Sequence, residues 1–178
     1  MEKLIEIKDL AIHYETDDGV VKALNSVSLS LVKGRTLGVV GETGAGKTTL
    51  GKGILRLIPS PPGRIVSGSV LFEGQDLLKL SEAEMRKIRG RSISMIFQDP
   101  MTSLNPVMTV GDQIMEVIQA HKNLRRQEAW QEACRILEMV GIPGDRGREY
   151  PHQFSGGMRQ RVGIAIALAC APTLLIAD

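Results

Sequence analysis

The first part of the chain alternates apolar and polar residues with the period of a half-buried β-strand. This alternation covers Leu4–Tyr14, and the stretch Thr16–Gly19 that follows has the Asp-Gly composition of a tight turn. The pattern resumes over Val20–Leu24, and Val27–Val32 alternates apolar residues with serines. These segments predict an antiparallel ribbon.

A different pattern begins at residue 37. The apolar run Leu37–Val40 leads into the glycine-rich stretch Gly41–Thr48. Apolar residues then recur at helical spacing, at Leu50, Ile54, Leu55 and Ile58. The order predicts a strand, a loop and a helix.

Shorter elements follow. Gly68–Phe72 and Ser92–Phe97 are typical of strands, and Ser81–Arg89 of a short helix that Ser81 and Glu84 open as a capping box. Residues 101–153 contain no strand pattern. Helical patterns there, Thr109–His121 and Arg126–Val140, indicate a helical subdomain inserted between strands.

The last residues return to alternating helix and strand. Met158–Cys170 is apolar on most sides from Val162 onward, which predicts a buried helix. Thr173–Ala177 is a continuous apolar strand ending at Asp178. Continuous apolar strands between helices favour a parallel sheet that is covered on both faces.

We therefore expect an α/β fold with a mostly parallel core sheet, an N-terminal antiparallel β subdomain and an inserted helical subdomain. The expected divisions are a core with the β subdomain at 1–98, a helical part at 99–157 and a return to the core at 158–178. An apolar strand seldom ends a domain, so we also expect the C-terminal part of the fold to be absent.

Composition narrows the function classes. A net charge of +2 over 178 residues is too small to indicate nucleic-acid binding. No apolar run reaches the roughly 18 residues that span a bilayer, and the charged N-terminus is unlike a secretory signal. Cys134 and Cys170 lack metal-ligand spacing, which favours reduced cytosolic thiols over the alternative of a disulfide.

The stretch Gly41–Thr48 reads GETGAGKT and fits the phosphate-loop pattern GxxxxGK[ST] at every fixed position. Glycines let successive backbone N–H groups turn toward phosphate oxygens, and the following helix directs its positive end at them. Lys47 would add a charge at the β- and γ-phosphates, and the Thr48 hydroxyl would ligate Mg²⁺. The pattern indicates nucleotide binding.

Two further polar residues follow apolar strands. Asp178 ends its strand, where a carboxylate in phosphate-loop proteins orders Mg²⁺, often through water. The amide of Gln98 could reach a metal or a water at the γ-phosphate. On position alone, a Gln that supports a turn remains the favoured alternative for Gln98.

Ser155-Gly156-Gly157 is a second helix start built from small residues. Its N–H groups and hydroxyl could receive an anion. The alternative is a Ser N-cap with two tolerated glycines. Two glycines in a first turn cost roughly 1 kcal/mol each relative to alanine, which suggests a close approach of something to this backbone.

Over its whole length the chain resembles the ATP-hydrolysing subunits of ATP-binding-cassette (ABC) transporters. The resemblance rests on four strings, namely GETGAGKT, FQDP at Phe97–Pro100, FSGGM at Phe154–Met158 and LLIAD at Leu174–Asp178. Met158 departs from the glutamine that is usual in the family signature. Within the family, FQDPMTSLNP, IPSPPGRIVSG and YPHQFSGGM resemble the dipeptide, oligopeptide and nickel importers, and Met101-Thr102-Ser103 resembles the first of their two paired ATPases.

The resemblance implies ATP and Mg²⁺ as cofactors and gives roles to individual residues. Catalytic roles fall to Lys47, Gln98 and Asp178, and Mg²⁺ would be held by Thr48, Gln98 and Asp178. The implied nucleotide contacts are Tyr14 on the adenine, Gln98, the loop Gly41, Glu42, Thr43, Gly44, Ala45, Gly46, Lys47, Thr48 and Thr49, and the signature Ser155, Gly156, Gly157 and Met158 on the nucleotide of another subunit. Packing of an edge-strand tyrosine is the alternative for Tyr14.

The implied partners are a second ABC ATPase subunit, head to tail, transmembrane permease subunits and, indirectly, an extracytoplasmic solute-binding protein. The resemblance implies that the protein lies peripherally on the cytoplasmic side of the cell membrane. There it would power the import of peptides or nickel, and no nucleic-acid partner is expected. The alternatives are a soluble ABC-type ATPase acting on nucleic acid or ribosomes, and a phosphate-loop kinase or GTPase, which would lack SGGM.

The family continues after its final Asp with a glutamate that positions or deprotonates water, and later with a switch histidine. Neither is in these 178 residues. We expect them to bind Mg-nucleotide weakly and to turn it over poorly. We also expect Leu174–Ile176 to form a poorly covered edge.

Overall fold

The computed structural model describes residues 2–99 and 103–178. The chain divides into two compact units, Met1–Met85 and Arg86–Asp178. Pro100, Met101 and Thr102, which carry part of the predicted FQDP string and of the importer-group resemblance, lie outside the described residues.

The first unit is built on a four-stranded antiparallel sheet. Its strands are β1 (Lys3–Thr16), β2 (Gly19–Val32), β3 (Gly63–Phe72) and β4 (Gln75–Asp76), in the order β2-β1-β3-β4. The predicted ribbon is confirmed, because β1 and β2 pair around the Thr16–Gly19 turn. The two segments predicted at Val20–Leu24 and Val27–Val32 form one strand, interrupted by positive φ at Ser26.

The predicted strand at Leu37–Val40 does not form. This stretch has no regular secondary structure in the described chain, and Val40 is 94% exposed. An isolated apolar run cannot satisfy its backbone groups as a strand unless a neighbour pairs with it. Among residues 2–99 and 103–178, no strand pairs with Leu37–Val40.

The predicted helix after the loop is confirmed but shorter than its apolar spacing suggested. Helix α1 spans Lys47–Ile54 and buries Leu50 and Ile54. It ends there because Arg56 adopts a positive φ of 52°, which a continuing helix cannot accommodate. Helix α2 (Glu82–Ile88) begins at the predicted capping box, in which Ser81 and Glu84 bond reciprocally.

The second unit contains a short parallel sheet. Strand β5 (Ile93–Ile96) pairs with β6 (Leu174–Ala177), with Ile93 opposite Leu174 and Ile96 opposite Ala177. Both strands were predicted. In β6 Leu174 is buried but Leu175 is 40% exposed, so the strand is not covered on both faces, which agrees with the expectation of a poorly covered edge at Leu174–Ile176.

Three helices form the core of the second unit. They are α3 (Val110–His121), α4 (Arg126–Met139) and α5 (Gly156–Leu168), and the first two confirm the predicted helical segments. Their packed side chains include Ile114, Ile118, Ile136, Leu137 and Val162, each no more than 1% exposed.

The predicted last helix forms, and it is buried in part. From Val162 onward α5 buries Val162, Ala165 and Ala167, whereas Ile164 and Ile166 remain partly exposed. Helix α5 therefore packs against α3, α4 and β5, and some of its apolar residues stay partly accessible in the described chain.

Candidate nucleotide-binding site

The glycine-rich loop in the first unit has a backbone that only glycine accommodates readily. Gly44 and Gly46 adopt φ values of +82° and +88°, in the left-handed region. A Cβ at Gly46 would also collide with the carbonyl oxygen of Ala23 and lie 2.9 Å from Leu24 Cδ2. The loop therefore curls tightly against β2.

Lys47 closes this loop from inside. Its Nζ donates to the carbonyl oxygens of Gly41 and Glu42, each at 2.7 Å, so the ammonium group lies within the curve of the backbone. The amide of Ala45 donates to the Glu42 carbonyl at 3.1 Å and tightens the same turn.

Helix α1 starts at the end of the loop. Gly46 is its N-cap and supplies no side-chain hydrogen bond. The first N–H groups of a helix have no partner within the helix, and the helix dipole places partial positive charge on them. Together with the Lys47 ammonium, this makes the loop a place where an oligophosphate can be bound.

In the second unit, Gln98 and Asp178 follow the C-terminal ends of the two paired parallel strands, β5 and β6. The Asp178 amide donates to the Ile96 carbonyl at 3.1 Å, so the carboxylate follows β6 beside the point where Gln98 follows β5. Both residues are exposed. A carboxylate and an amide oxygen are hard ligands of the kind that Mg²⁺ prefers.

The signature turn, Ser155–Met158, opens α5. The Ser155 hydroxyl accepts from the Met158 amide at 3.4 Å, as predicted for an N-cap. Gly156 and Gly157 are exposed, and a Cβ at either would meet nothing within 4 Å. No contact within the described chain therefore requires glycine at these positions.

Tyr14 lies near the end of β1 and is partly exposed. It is opposite Val21 on β2 and Gly63 on β3, and a Cβ at Gly63 would lie 2.8 Å from Tyr14 Cε1. The ring therefore lies against Gly63, and because β1 is paired on both sides, Tyr14 is not on an edge strand as the packing alternative assumed.

The predicted site residues divide between the units. The first unit contains Tyr14 and the loop Gly41–Thr49, whereas the second contains Gln98, Asp178 and the signature turn. Within the described residues, no group of three or more His, Cys, Asp or Glu side chains could hold a metal by itself.

Two polar residues with specific contacts in the second unit were missed from the sequence. Gln113, only 7% exposed, bonds through its side-chain amide to Asn105 and to the Met108 carbonyl. Arg146 contacts the signature turn. A glutamine inside the apolar pattern of α3 could have indicated the first, but no local signal points to Arg146.

Comparisons with known proteins decide the family. The family model described as "ABC transporter" matches residues 24–178. The chain belongs to the ABC transporter family. The predicted recognition is confirmed, because the curated relatives of this cassette are transport ATP-binding proteins.

The curated relatives are about 50% identical to the cassette over the aligned residues. It is 54% identical over 178 residues to "Oligopeptide transport ATP-binding protein OppD" of Bacillus subtilis (strain 168), covering 99% of this chain and 50% of that protein. It is 49% identical to "Dipeptide transport ATP-binding protein DppD" of the same organism over all of this chain and 54% of that protein. Escherichia coli (strain K12) OppD is 51% identical, and the match covers 99% of this chain and 52% of that protein. The chain thus spans about half the length of the curated relatives it matches.

Solved structures confirm the α/β cassette fold. "Dimeric structure of a post-hydrolysis state of the ATP-binding cassette MJ0796 bound to ADP and Pi" superposes with a TM-score of 0.87 at 27% identity, covering 98% of this chain and 73% of that one. "Dimeric Structure of MJ0796, a Bacterial ABC Transporter Cassette" gives 0.86 at 28% identity, with the same coverage. No helix in the described residues is long and apolar enough to cross a membrane.

Proposed function

We propose that the cassette binds MgATP and that the full-length protein hydrolyses it to drive peptide import through a membrane permease. The observation that carries the proposal is the loop Gly41–Thr48, in which the Lys47 ammonium lies within a curl of backbone at the start of α1. That geometry suits an oligophosphate chemically. The family match adds the transport context.

The proposed roles follow from the chemistry of each group. Lys47 and the loop amides offset the charge of the β- and γ-phosphates, which positions them for attack by water. Asp178 and Gln98 hold and orient water or metal at the γ-phosphate, and Tyr14 stacks on the adenine. Thr49, the last member of the predicted loop contacts, follows Thr48 in the first turn of α1.

The donors present fit Mg²⁺. The Thr48 hydroxyl, the Gln98 amide and the Asp178 carboxylate all offer oxygen, and Mg²⁺ is commonly held by few protein oxygens together with phosphates and water. When bound, the metal would stabilise the negative charge that develops during phosphoryl transfer.

The proposed partner in the catalytic state is a second cassette, head to tail. Gly156 and Gly157 are exposed with open space around them, which suits a turn that receives the γ-phosphate of a nucleotide held by another molecule. The MJ0796 cassettes, solved as dimers, support such an arrangement.

The proposed substrates are short peptides, carried by transmembrane permease subunits to which an extracytoplasmic binding protein delivers them. The relatives are named for oligopeptide or dipeptide transport, and these names favour peptides over nickel. The proposed location is the cytoplasmic side of the cell membrane. No observation favours the alternative of an ATPase acting on nucleic acid or ribosomes.

Peptide uptake in the native host tests the proposal. We expect cells whose only copy of the full-length protein carries Lys47→Ala to lose uptake of a labelled oligopeptide while uptake of a free amino acid continues. The tagged wild-type protein, captured from detergent-solubilised membranes, should bring down a permease. Recovery of ribosomes or RNA, with peptide uptake intact in the mutant, would overturn the proposal.

A further inference from the structure

The main chain of the signature turn is bonded at each end of its first turn, since the Arg159 amide donates to the Ser155 carbonyl and Arg159 Nε to the Phe154 carbonyl, both at 2.9 Å, but its side-chain cap is weak. The hydrogen bond from the Met158 amide to the Ser155 hydroxyl, at 3.4 Å, is longer than the usual 2.7–3.2 Å for N–H···O bonds. Gly156 and Gly157 occupy the first turn of α5, where glycine lowers helix stability. A turn that must present its backbone in one geometry needs support from elsewhere.

Arg146 supplies contacts on both sides of these glycines. Its guanidinium carbon lies 4.6 Å from the ring centroid of Phe154, the residue before Ser155. Its Nη1 donates to the Sδ atom of Met158, the residue after Gly157, at 3.5 Å. Phe154 itself is only 2% exposed, so the guanidinium rests on a fixed surface.

Glu149 fixes the plane of the Arg146 guanidinium. Nε donates to one carboxylate oxygen at 3.0 Å and Nη2 to the other at 2.6 Å. Such two-point bonding sets orientation as well as distance. The hydrogen bond from Arg146 also lowers the pKa of Glu149.

The backbone that carries this pair is anchored in the core of the second unit. Arg146 lies in the short helical turn Gly144–Arg148. A Cβ at Gly147 would lie 3.2 Å from both Leu137 and Trp130, and the Glu149 carbonyl accepts from the Val110 amide at 2.9 Å. The guanidinium therefore projects from a rigid base.

We propose that Arg146, oriented by Glu149, is a positioning residue that holds the signature turn in the form that receives the nucleotide of a second subunit. Met158, where the family usually has glutamine, is the partner of Arg146 in this device. The proposal rests on the proposed function, because it concerns the face that the second nucleotide would meet.

The test compares full-length variants at Arg146 with a matched variant on the same turn. Arg146→Leu removes the guanidinium, and Arg146→Lys keeps the charge but cannot bond Glu149 at two points while covering Phe154. The control is Arg148→Leu, because Arg148 is exposed and lies over the Trp130 ring at 5.8 Å. The readouts are Tm, binding of a fluorescent ATP analogue with Mg²⁺ to dilute monomer, dimerisation driven by a non-hydrolysable ATP analogue, and ATP hydrolysis.

The expected result separates the two halves of the site. The Arg146→Leu monomer should bind nucleotide as tightly as wild type but dimerise at least about tenfold more weakly. Dimerisation of Arg146→Lys should be intermediate, and that of Arg148→Leu should equal wild type. Mixing Arg146→Leu with Lys47→Ala should restore hydrolysis, because one site then combines an intact loop with an intact signature turn.

Several results would overturn the inference. It fails if Arg146→Leu and Arg146→Lys dimerise like wild type, or if the Arg146 and Arg148 variants lose dimerisation equally. It also fails if the weaker dimerisation comes with a lower Tm and weaker nucleotide binding by the monomer, and if mixing with Lys47→Ala does not restore ATP hydrolysis. Arg146 would then only support folding. If wild-type protein itself binds no MgATP, the proposed function fails instead.

Discussion

The ammonium group of Lys47 donates to the carbonyl oxygen of Gly41 at 2.7 Å, six residues earlier in the chain. The bond spans the whole glycine-rich loop and places a positive charge inside its curl. The same ammonium bonds the Glu42 carbonyl. This cluster of charge and backbone is the basis of the nucleotide-binding proposal.

Removing that charge should weaken nucleotide binding without unfolding the protein. We expect Lys47→Ala to raise the Kd for MgATP by at least about tenfold, because hydrogen bonds to charged groups contribute more than neutral ones. Lys52→Ala, in the last turn of the same helix, should leave the Kd within about twofold of wild type. Calorimetric titration measures both, and equal effects from the two changes would contradict the assignment.

The glycines of the loop should differ in their tolerance to alanine. We expect Gly46→Ala to lower the free energy of unfolding by more than about 2 kcal/mol, because it combines positive φ with collision against Ala23. Gly44→Ala has positive φ but open space, and should cost about 1 kcal/mol.

Gly38 is the matched control for this pair. It lies in open space with no positive φ, so Gly38→Ala should leave the unfolding free energy within about 1 kcal/mol of wild type. Urea titration of the three variants gives the order. A Gly46→Ala protein as stable as Gly38→Ala would show that the loop is not confined as described.

The buried amide of Gln113 should matter for stability. Its side chain makes three hydrogen bonds of 2.9–3.1 Å to Asn105 and Met108. We expect Gln113→Leu to cost about 1–3 kcal/mol, because it removes three hydrogen bonds made by a buried side chain. Gln119→Leu, at an exposed position of the same helix, should cost less than about 0.5 kcal/mol. Equal urea midpoints for the two variants would contradict this role.

The ion pair of Glu132 predicts a pH dependence of stability. The hydrogen bond from Arg135 lowers the pKa of Glu132 from its ordinary 4.5, and Lys122 adds to the effect. A carboxyl whose pKa is lowered by folding stabilises the protein above its unfolded pKa. That stability is lost as the pH falls through the lower, folded value.

The Glu132→Gln variant tests this effect. It should be less stable than wild type at pH 7 by no more than about 1 kcal/mol, because the pair is partly exposed. The difference should shrink as the pH falls below 4.5. Thermal unfolding from pH 7 to pH 3 measures it, and a difference that grows toward acid pH would contradict the sign.

Local patterns predicted most of the elements in this fold because those elements depend on residues that are close together in the sequence. The Ser81 capping box and the β1–β2 hairpin were predictable for that reason. The run Leu37–Val40 was not, because a strand forms only when a neighbour pairs with it, and Val40 is 94% exposed. Likewise, the contact of Arg146 with Met158 joins different elements, and no spacing in the sequence encodes it.

In the candidate site, too, local features were predictable from the sequence. The phosphate-loop pattern encodes its own backbone, so positive φ at Gly44 and Gly46 follows from the string itself. The apolar patterns of β5 and β6 correctly placed Gln98 and Asp178 just after two strands, which the structure pairs in parallel. The roles of these residues toward nucleotide remain predictions.

A crystal structure of the full-length protein with a non-hydrolysable ATP analogue and Mg²⁺ tests the central claim most directly. We expect the β- and γ-phosphates to lie within hydrogen-bond distance of the backbone amides of residues 43–48, with the Lys47 ammonium turned from the Gly41 carbonyl to a phosphate oxygen. Nucleotide bound elsewhere, with Lys47 still on the carbonyls of its own loop, would contradict the account.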